Sequence, residues 1–219
     1  MINIFKIFSS TINTYNKDVI KVILYEIYFF IKYFNSSSKI FYEAIFSKEK
    51  INKISNSTIP CPLYYALIIA NFVNKKKIKS ILDLGSGHGR LTNFLSYNTN
   101  AKIYGYEFNE EIFKKSVQIK NKNVILKKKN ILEINREIYN IDCFIFSDPL
   151  KYRTDLDKVV KRIKKIKKNK KYFIIFININ NNKSKIMNKK KLIKQHVSSS
   201  KKSVKIYYNK IFTKNKFIY

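Results

Sequence analysis

Between residues 78 and 179, apolar runs of five to eight residues alternate with stretches in which hydrophobic positions recur every three or four. The runs predict strands at Ile78–Leu84, Lys102–Glu107, Val124–Lys128, Ile141–Ser147 and Tyr172–Ile179, and the periodic stretches predict helices at Arg90–Ser96, Glu110–Ile119 and Asp155–Lys167. Strands separated by helices form a parallel sheet with helices on both faces, because a parallel pair needs a crossover. Several of the runs are apolar at every position, as in strands covered on both sides. Beyond them, Val204–Tyr208 and Lys216–Tyr219 predict an antiparallel hairpin at the sheet edge, with the polar Asn181–Gln195 as connector. The expected fold is α/β, a doubly wound, mostly parallel sheet of seven strands.

The first 57 residues follow a different pattern and read as an N-terminal helical extension. Polar residues from Ser47 to Thr58 interrupt its apolar periodicity and place a boundary near residue 58, which assigns 58–219 to the main domain. Pro60-Cys61-Pro62 then opens a helix through Asn74 whose apolar face is Leu63, Ala66, Leu67 and Ala70. The longest hydrophobic stretch, Val19 to Phe34, contains Lys21, Glu26 and Lys32 and falls short of the roughly 20 uncharged residues of a membrane span. A helix with Lys21, Tyr25 and Lys32 on one narrow face, packed on the main domain, is expected there; a helix lying on an anionic membrane surface is the alternative.

Charge changes the picture less than its size implies. A net charge of +31 points to an anionic partner, either nucleic acid or a membrane surface. Yet only four of the 45 basic residues are arginine, the better phosphate ligand, and the chain is rich in Lys, Asn, Ile, Tyr and Phe, which share A/T-rich codons. Lys161 to Lys168 reads on a helix as a buried stripe of Val159, Val160, Ile163 and Ile166 with the lysines on the outer face. Two cysteines, Cys61 and Cys143, provide neither a disulfide framework nor a metal site, so no metal is expected; Cys143 reads as a small core residue. A cytoplasmic location is expected, with the inner membrane surface as a peripheral alternative.

The chain has four glycines, and Gly85, Gly87 and Gly89 fall together in Ile81-Leu-Asp-Leu-Gly-Ser-Gly-His-Gly-Arg90. A strand that ends in an acid and a glycine-rich turn, followed by a helix, is a ligand loop whose free N–H groups face the ligand. The dinucleotide fingerprint would need glycine where Arg90 stands, and the phosphate loop would need Gly-Lys-Ser/Thr, which is absent. His88 occupies the variable position of the loop and reads as a backbone donor, His196 as a surface residue, and Arg90 as the partner of an acid near the helix start.

With Asp83 ahead of the glycines and Glu107 closing Tyr104-Gly-Tyr-Glu-Phe-Asn109, the chain resembles the class I S-adenosylmethionine (SAM)-dependent methyltransferases. The resemblance covers about residues 58–180 and rests most firmly on 81–109. It implies a Rossmann-like sheet and a cofactor site of Asp83, Gly85, Ser86, Gly87, His88 and Gly89, with Glu107 on the ribose hydroxyls, Asn130 at the adenine amino group, Ile131 against the ring and Ser147 at the end of the fourth strand. Asn130 stands where the family usually has Asp. Asp148-Pro149-Leu150 is similar to the Asp/Asn-Pro-Pro-aromatic motif of amino-group methyltransferases but lacks the second proline. On that basis Asp148 is the candidate catalytic residue, orienting or deprotonating a nitrogen; capping the next helix is its other reading. The loop also resembles those of small bacterial methyltransferases and of membrane-associated protein lysine methyltransferases. The implied acceptor is a protein lysine, RNA or a small molecule, and the competing function is a non-catalytic, basic RNA- or membrane-binding module on the same scaffold.

Overall fold

The computed structural model describes residues 19–33, 61–147, 153–177, 192–197 and 203–209. Their helices are α1 (Val19–Tyr33), α2 (Leu63–Lys75), α3 (Arg90–Asn98), α4 (Glu110–Ile119) and α5 (Arg153–Ile166). Their strands are β1 (Ser80–Leu84), β2 (Lys102–Glu107), β3 (Val124–Lys128), β4 (Cys143–Ser147), β5 (Tyr172–Ile177), β6 (Leu192–Val197) and β7 (Ser203–Asn209). Two 3-10 turns, Ile131–Glu133 and Arg136–Asn140, lie between β3 and β4.

The strands form a single sheet in the order β3-β2-β1-β4-β5-β7-β6. The first five pair in parallel, whereas β7 is antiparallel to β5 and β6 antiparallel to β7. The expected α/β, Rossmann-like sheet is present. The chain winds outward from β1 to β3, then returns to place β4 on the other side of β1. In such sheets that reversal opens a crevice beyond the carboxyl ends of the two central strands, where ligands bind.

The expected strand at Val204–Tyr208 is present within β7, but its hairpin partner is not the expected one. The hairpin's first strand is Leu192–Val197, largely inside the stretch read as a connector, and Lys216–Tyr219 lies outside the described residues. An edge strand has one neighbour and tolerates polar side chains, so its low hydrophobicity disguised it. The boundary near residue 58 also lies outside the described residues.

Apolar side chains divide into two layers about the sheet. One joins α1, α2 and α3 to the face bearing Ile81, Ile103, Cys143, Ile145 and Ile175. The other joins α5 and the 3-10 turns to Leu82, Leu84, Phe144, Phe146 and Ile174. α1 packs through Phe29, whose ring meets that of Phe94 edge-on at 4.8 Å, and through Tyr25 against Tyr64 at 5.4 Å. Tyr25 thus faces the protein, while Ile20, Leu24, Ile27 and Ile31 are exposed. No helix among the described residues is long and apolar enough to cross a membrane.

α5 buries Val159, Val160 and Ile163 and turns Lys158, Lys161 and Lys165 outward, as its periodicity requires. Lys167 departs from the expected outer face. It continues the buried stripe one turn beyond Ile163, and its ammonium reaches the Tyr139 carbonyl at 2.6 Å. Its aliphatic stem fills the end of the core while the head finds an acceptor. Burial pulls its pKa down to about 8, with nearby Lys170 adding to the shift.

Candidate active site

β1 ends at the site because its alternation leaves it no other use for an acid. Ile81 points into the layer of α1 to α3 and Leu82 and Leu84 into the opposite one, so Asp83 shares the Ile81 side. Asp83 is only 1% exposed, and its Oδ1 has no hydrogen-bond partner among the described residues. Burial raises its pKa from 3.8 to about 7, and the nearby Glu107 carboxylate adds to the rise. A buried carboxyl with an unmet acceptor is costly, and a cationic ligand would relieve that cost.

The loop after β1 hangs from β2. Gly85 and Ser86 N–H both donate to the Tyr106 carbonyl, at 2.9 and 3.0 Å, and Gly89 N–H closes back onto the Ser86 carbonyl at 2.9 Å. Gly85, Gly87 and Gly89 have φ of 86°, 55° and 81°, the left-handed region that other residues enter only with strain. A Cβ at Gly87 would meet nothing within 4 Å, so backbone and open space adjoin there. Ser86 is buried, and its Oγ also lacks a partner among the described residues. His88 is buried as well, so its side chain is packed rather than incidental at a solvent-facing position.

The fourth glycine, Gly105, belongs to the same construction. It lies opposite Asp83 in the β1–β2 register, and a Cβ on it would sit 2.6 Å from Leu126 Cδ2 and 2.8 Å from Ser86 Oγ. Isolated in the sequence, it carried no signal; only the close approach of the loop to β2 explains it.

Glu107, at the end of β2, clasps the loop from below. One carboxylate oxygen accepts from Gly87 N–H at 2.9 Å and the other from Asn109 N–H at 2.8 Å. Two contacts leave roughly half of a carboxylate's four acceptor positions for a ligand's hydroxyls. Asn109 then caps α4, its side chain accepting from Glu111 and Ile112 N–H.

Asn130 caps the first 3-10 turn, accepting from Leu132 N–H at 3.0 Å and donating to Glu133 at 3.1 Å, and its carbonyl oxygen retains a second lone pair. Ile131 is buried in the second apolar layer. Ser147 is half-buried at the end of β4, the strand next to β1; Asp148 lies outside the described residues. Asp83, the loop, Glu107 and Ser147 therefore gather at the carboxyl ends of three adjacent strands, with Asn130 just after the end of β3 beside them.

Arg90 has an acidic partner, as expected, but from an unexpected place. The acid is Glu26 of α1, whose other oxygen accepts from Leu63 N–H at 3.0 Å. No local sequence signal links residues 64 positions apart.

A family model described as a methyltransferase domain matches residues 75–216. No curated protein matches in sequence. Among solved structures, the chain is similar to an RNA methyltransferase from Salinibacter ruber in complex with S-adenosyl-L-homocysteine, with TM-score 0.51 and 15% identity over 68% of this chain and 93% of that one. It is also similar to an uncharacterised protein from Listeria monocytogenes, with TM-score 0.50 and 16% identity over 73% and 67% of the two chains. Likenesses this distant carry the fold; the family comes from the sequence match.

Proposed function

The chain belongs to the methyltransferase-domain family, and from that premise we propose that this SAM-dependent enzyme methylates an amine nitrogen, with a lysine side chain of a protein as its acceptor. The residues present fit the cofactor. The observation that carries the fit is the buried Asp83 carboxyl, with an unmet acceptor, beside a loop whose Gly87 N–H is held by Glu107.

When bound, SAM supplies a methyl group on a sulfonium that is already reactive toward nucleophiles. The protein's task is alignment and exclusion of water. Asp83 offers buried negative charge to the cationic end, and the spare lone pairs of Glu107 suit two vicinal hydroxyls. Asn130 has a carbonyl lone pair for an amino group, and Ile131 lends apolar surface beneath a ring. An amine attacks only as the free base, so its ammonium proton must first leave. Ser147, at the end of β4, and Asp148, the next residue in the sequence, are the groups proposed to hold the nitrogen, with the Asp148 carboxylate accepting that proton. The similarity of Asp148-Pro149-Leu150 to the motif of amino-group methyltransferases supports nitrogen over oxygen.

Incubation with methyl-labelled SAM and fractionated host lysate tests this reading. Label in protein that survives RNase and yields methyl-lysine on hydrolysis is the expected result. Label confined to RNA would move the acceptor to nucleic acid, which the charge of +31 would favour. Label nowhere, with S-adenosylhomocysteine (SAH) binding intact, would favour a non-catalytic basic module.

A further inference from the structure

The N-terminal helix α1 lies outside the matched segment 75–216, yet one of its side chains reaches the start of the cofactor-loop helix. Glu26 uses its two oxygens on two different helix beginnings. One accepts from Leu63 N–H, the first amide of α2, whose N-cap is Pro62 and has no side-chain cap of its own. The other meets the guanidinium of Arg90, the first residue of α3, and both side chains are almost wholly buried, at 5% and 11% exposure. Arg90 directly follows Gly89, the left-handed residue that turns the loop into the helix.

That placement is electrostatically demanding. A cation at a helix N-terminus opposes the helix dipole, and α3 has no acid in its first turn to offset it. Buried charge of this kind persists only when paired. Glu26 provides the counter-charge, and it does so close to the site. Burial pushes the Cys61 thiol up, and that thiol also feels the charges of Arg90, Asp83 and Glu26, so these groups occupy one region on the same side of the sheet.

We infer that Glu26 is a positioning residue of the cofactor site: by holding Arg90 and the first amide of α2 together, α1 sets the Gly85–Gly89 loop, and the docking of α1 and the binding of cofactor are coupled. Coupling between two sites is reciprocal, so each event must favour the other by the same factor. The inference rests on the SAM reading of the loop.

The test uses the full chain and SAH. Hydrogen exchange on the unaltered protein is expected to slow across α1 and at the Leu63 amide when SAH is added. Glu26→Gln is expected to raise the SAH Kd roughly tenfold. Asp142→Ala, which removes an acceptor from the Lys79 and Ser80 amides at the amino end of β1 and touches neither α1 nor the pair, should lower stability and leave the Kd within about twofold, a split from Glu26→Gln that a merely structural role would not produce. If Glu26→Gln does not fold, the double variant Glu26→Gln/Arg90→Gln removes both charges and should show the same weakened binding. SAH affinity unchanged in Glu26→Gln and in the double variant, or α1 exchange indifferent to SAH, overturns the coupling. An unaltered protein that fails to bind SAH at all overturns the cofactor reading and the coupling with it.

Discussion

Asp83 governs the pH behaviour of the free protein. Its folded pKa, about 7, lies above its ordinary 3.8, so between those values the folded state holds a proton that the unfolded state has released. The Asp83 contribution to stability therefore falls as pH rises from about 4 to 7 and levels off above. The α-ammonium of SAH favours the ionised carboxylate, so SAH binding should tighten as pH rises through 7, with protons released in calorimetry across buffers of different ionisation enthalpy. Asp83→Asn should abolish both trends, leave the free protein more stable at pH 8, and weaken SAH roughly ten- to a hundredfold, the range for losing a charge-assisted contact. Gly105→Ala probes the other side of the loop. The added methyl collides with Ser86 and Leu126, and a cost of about 1–3 kcal/mol in denaturant unfolding, with weaker SAH binding, is expected. Gly87→Ala meets open space, so only its left-handed backbone should count, about 1–2 kcal/mol.

At the scale of elements, the two ends of the parallel strands are built for different work. The carboxyl ends carry the site, and the amino ends carry a clamp: Asp142, just before β4, accepts from Lys79 N–H, Ser80 N–H and the Ser80 hydroxyl of β1 at 3.1–3.2 Å. Asp142→Ala strips the two amides of their acceptor, while the Ser80 hydroxyl keeps the Asn140 carbonyl at 2.9 Å, and should cost about 1–3 kcal/mol in chemical denaturation. Since β1 separates the clamp from the loop by about 13 Å, SAH affinity should stay within about twofold of the unaltered protein. Periodicity located these elements well where both faces are buried, as in β1, β4 and β5, because desolvation makes nearly every position apolar and leaves the exception, Asp83, to stand out. It failed at β6, where an edge strand needs no continuous apolar run, and at Lys167, where a long stem lets a charged residue occupy a core position.

For the whole molecule, charge and chemistry are separable. With a net charge of +31 carried mostly by lysine, binding to arbitrary single-stranded RNA should be non-specific and should fall by orders of magnitude between roughly 50 and 200 mM salt. SAH affinity, set by buried groups, should hardly change over that range, and filter binding against calorimetry separates the two. The sequence by itself determined the α/β sheet, the glycine loop and the acids that flank it, because alternation, left-handed turns and strand-end carboxylates are local and leave local marks. Tertiary structure decided the rest: that isolated Gly105 makes room for Ser86, that His88 is packed, and that Arg90 finds its counter-charge in Glu26 on α1. Those facts depend on which distant segments come into contact, and burial is what makes each contact matter.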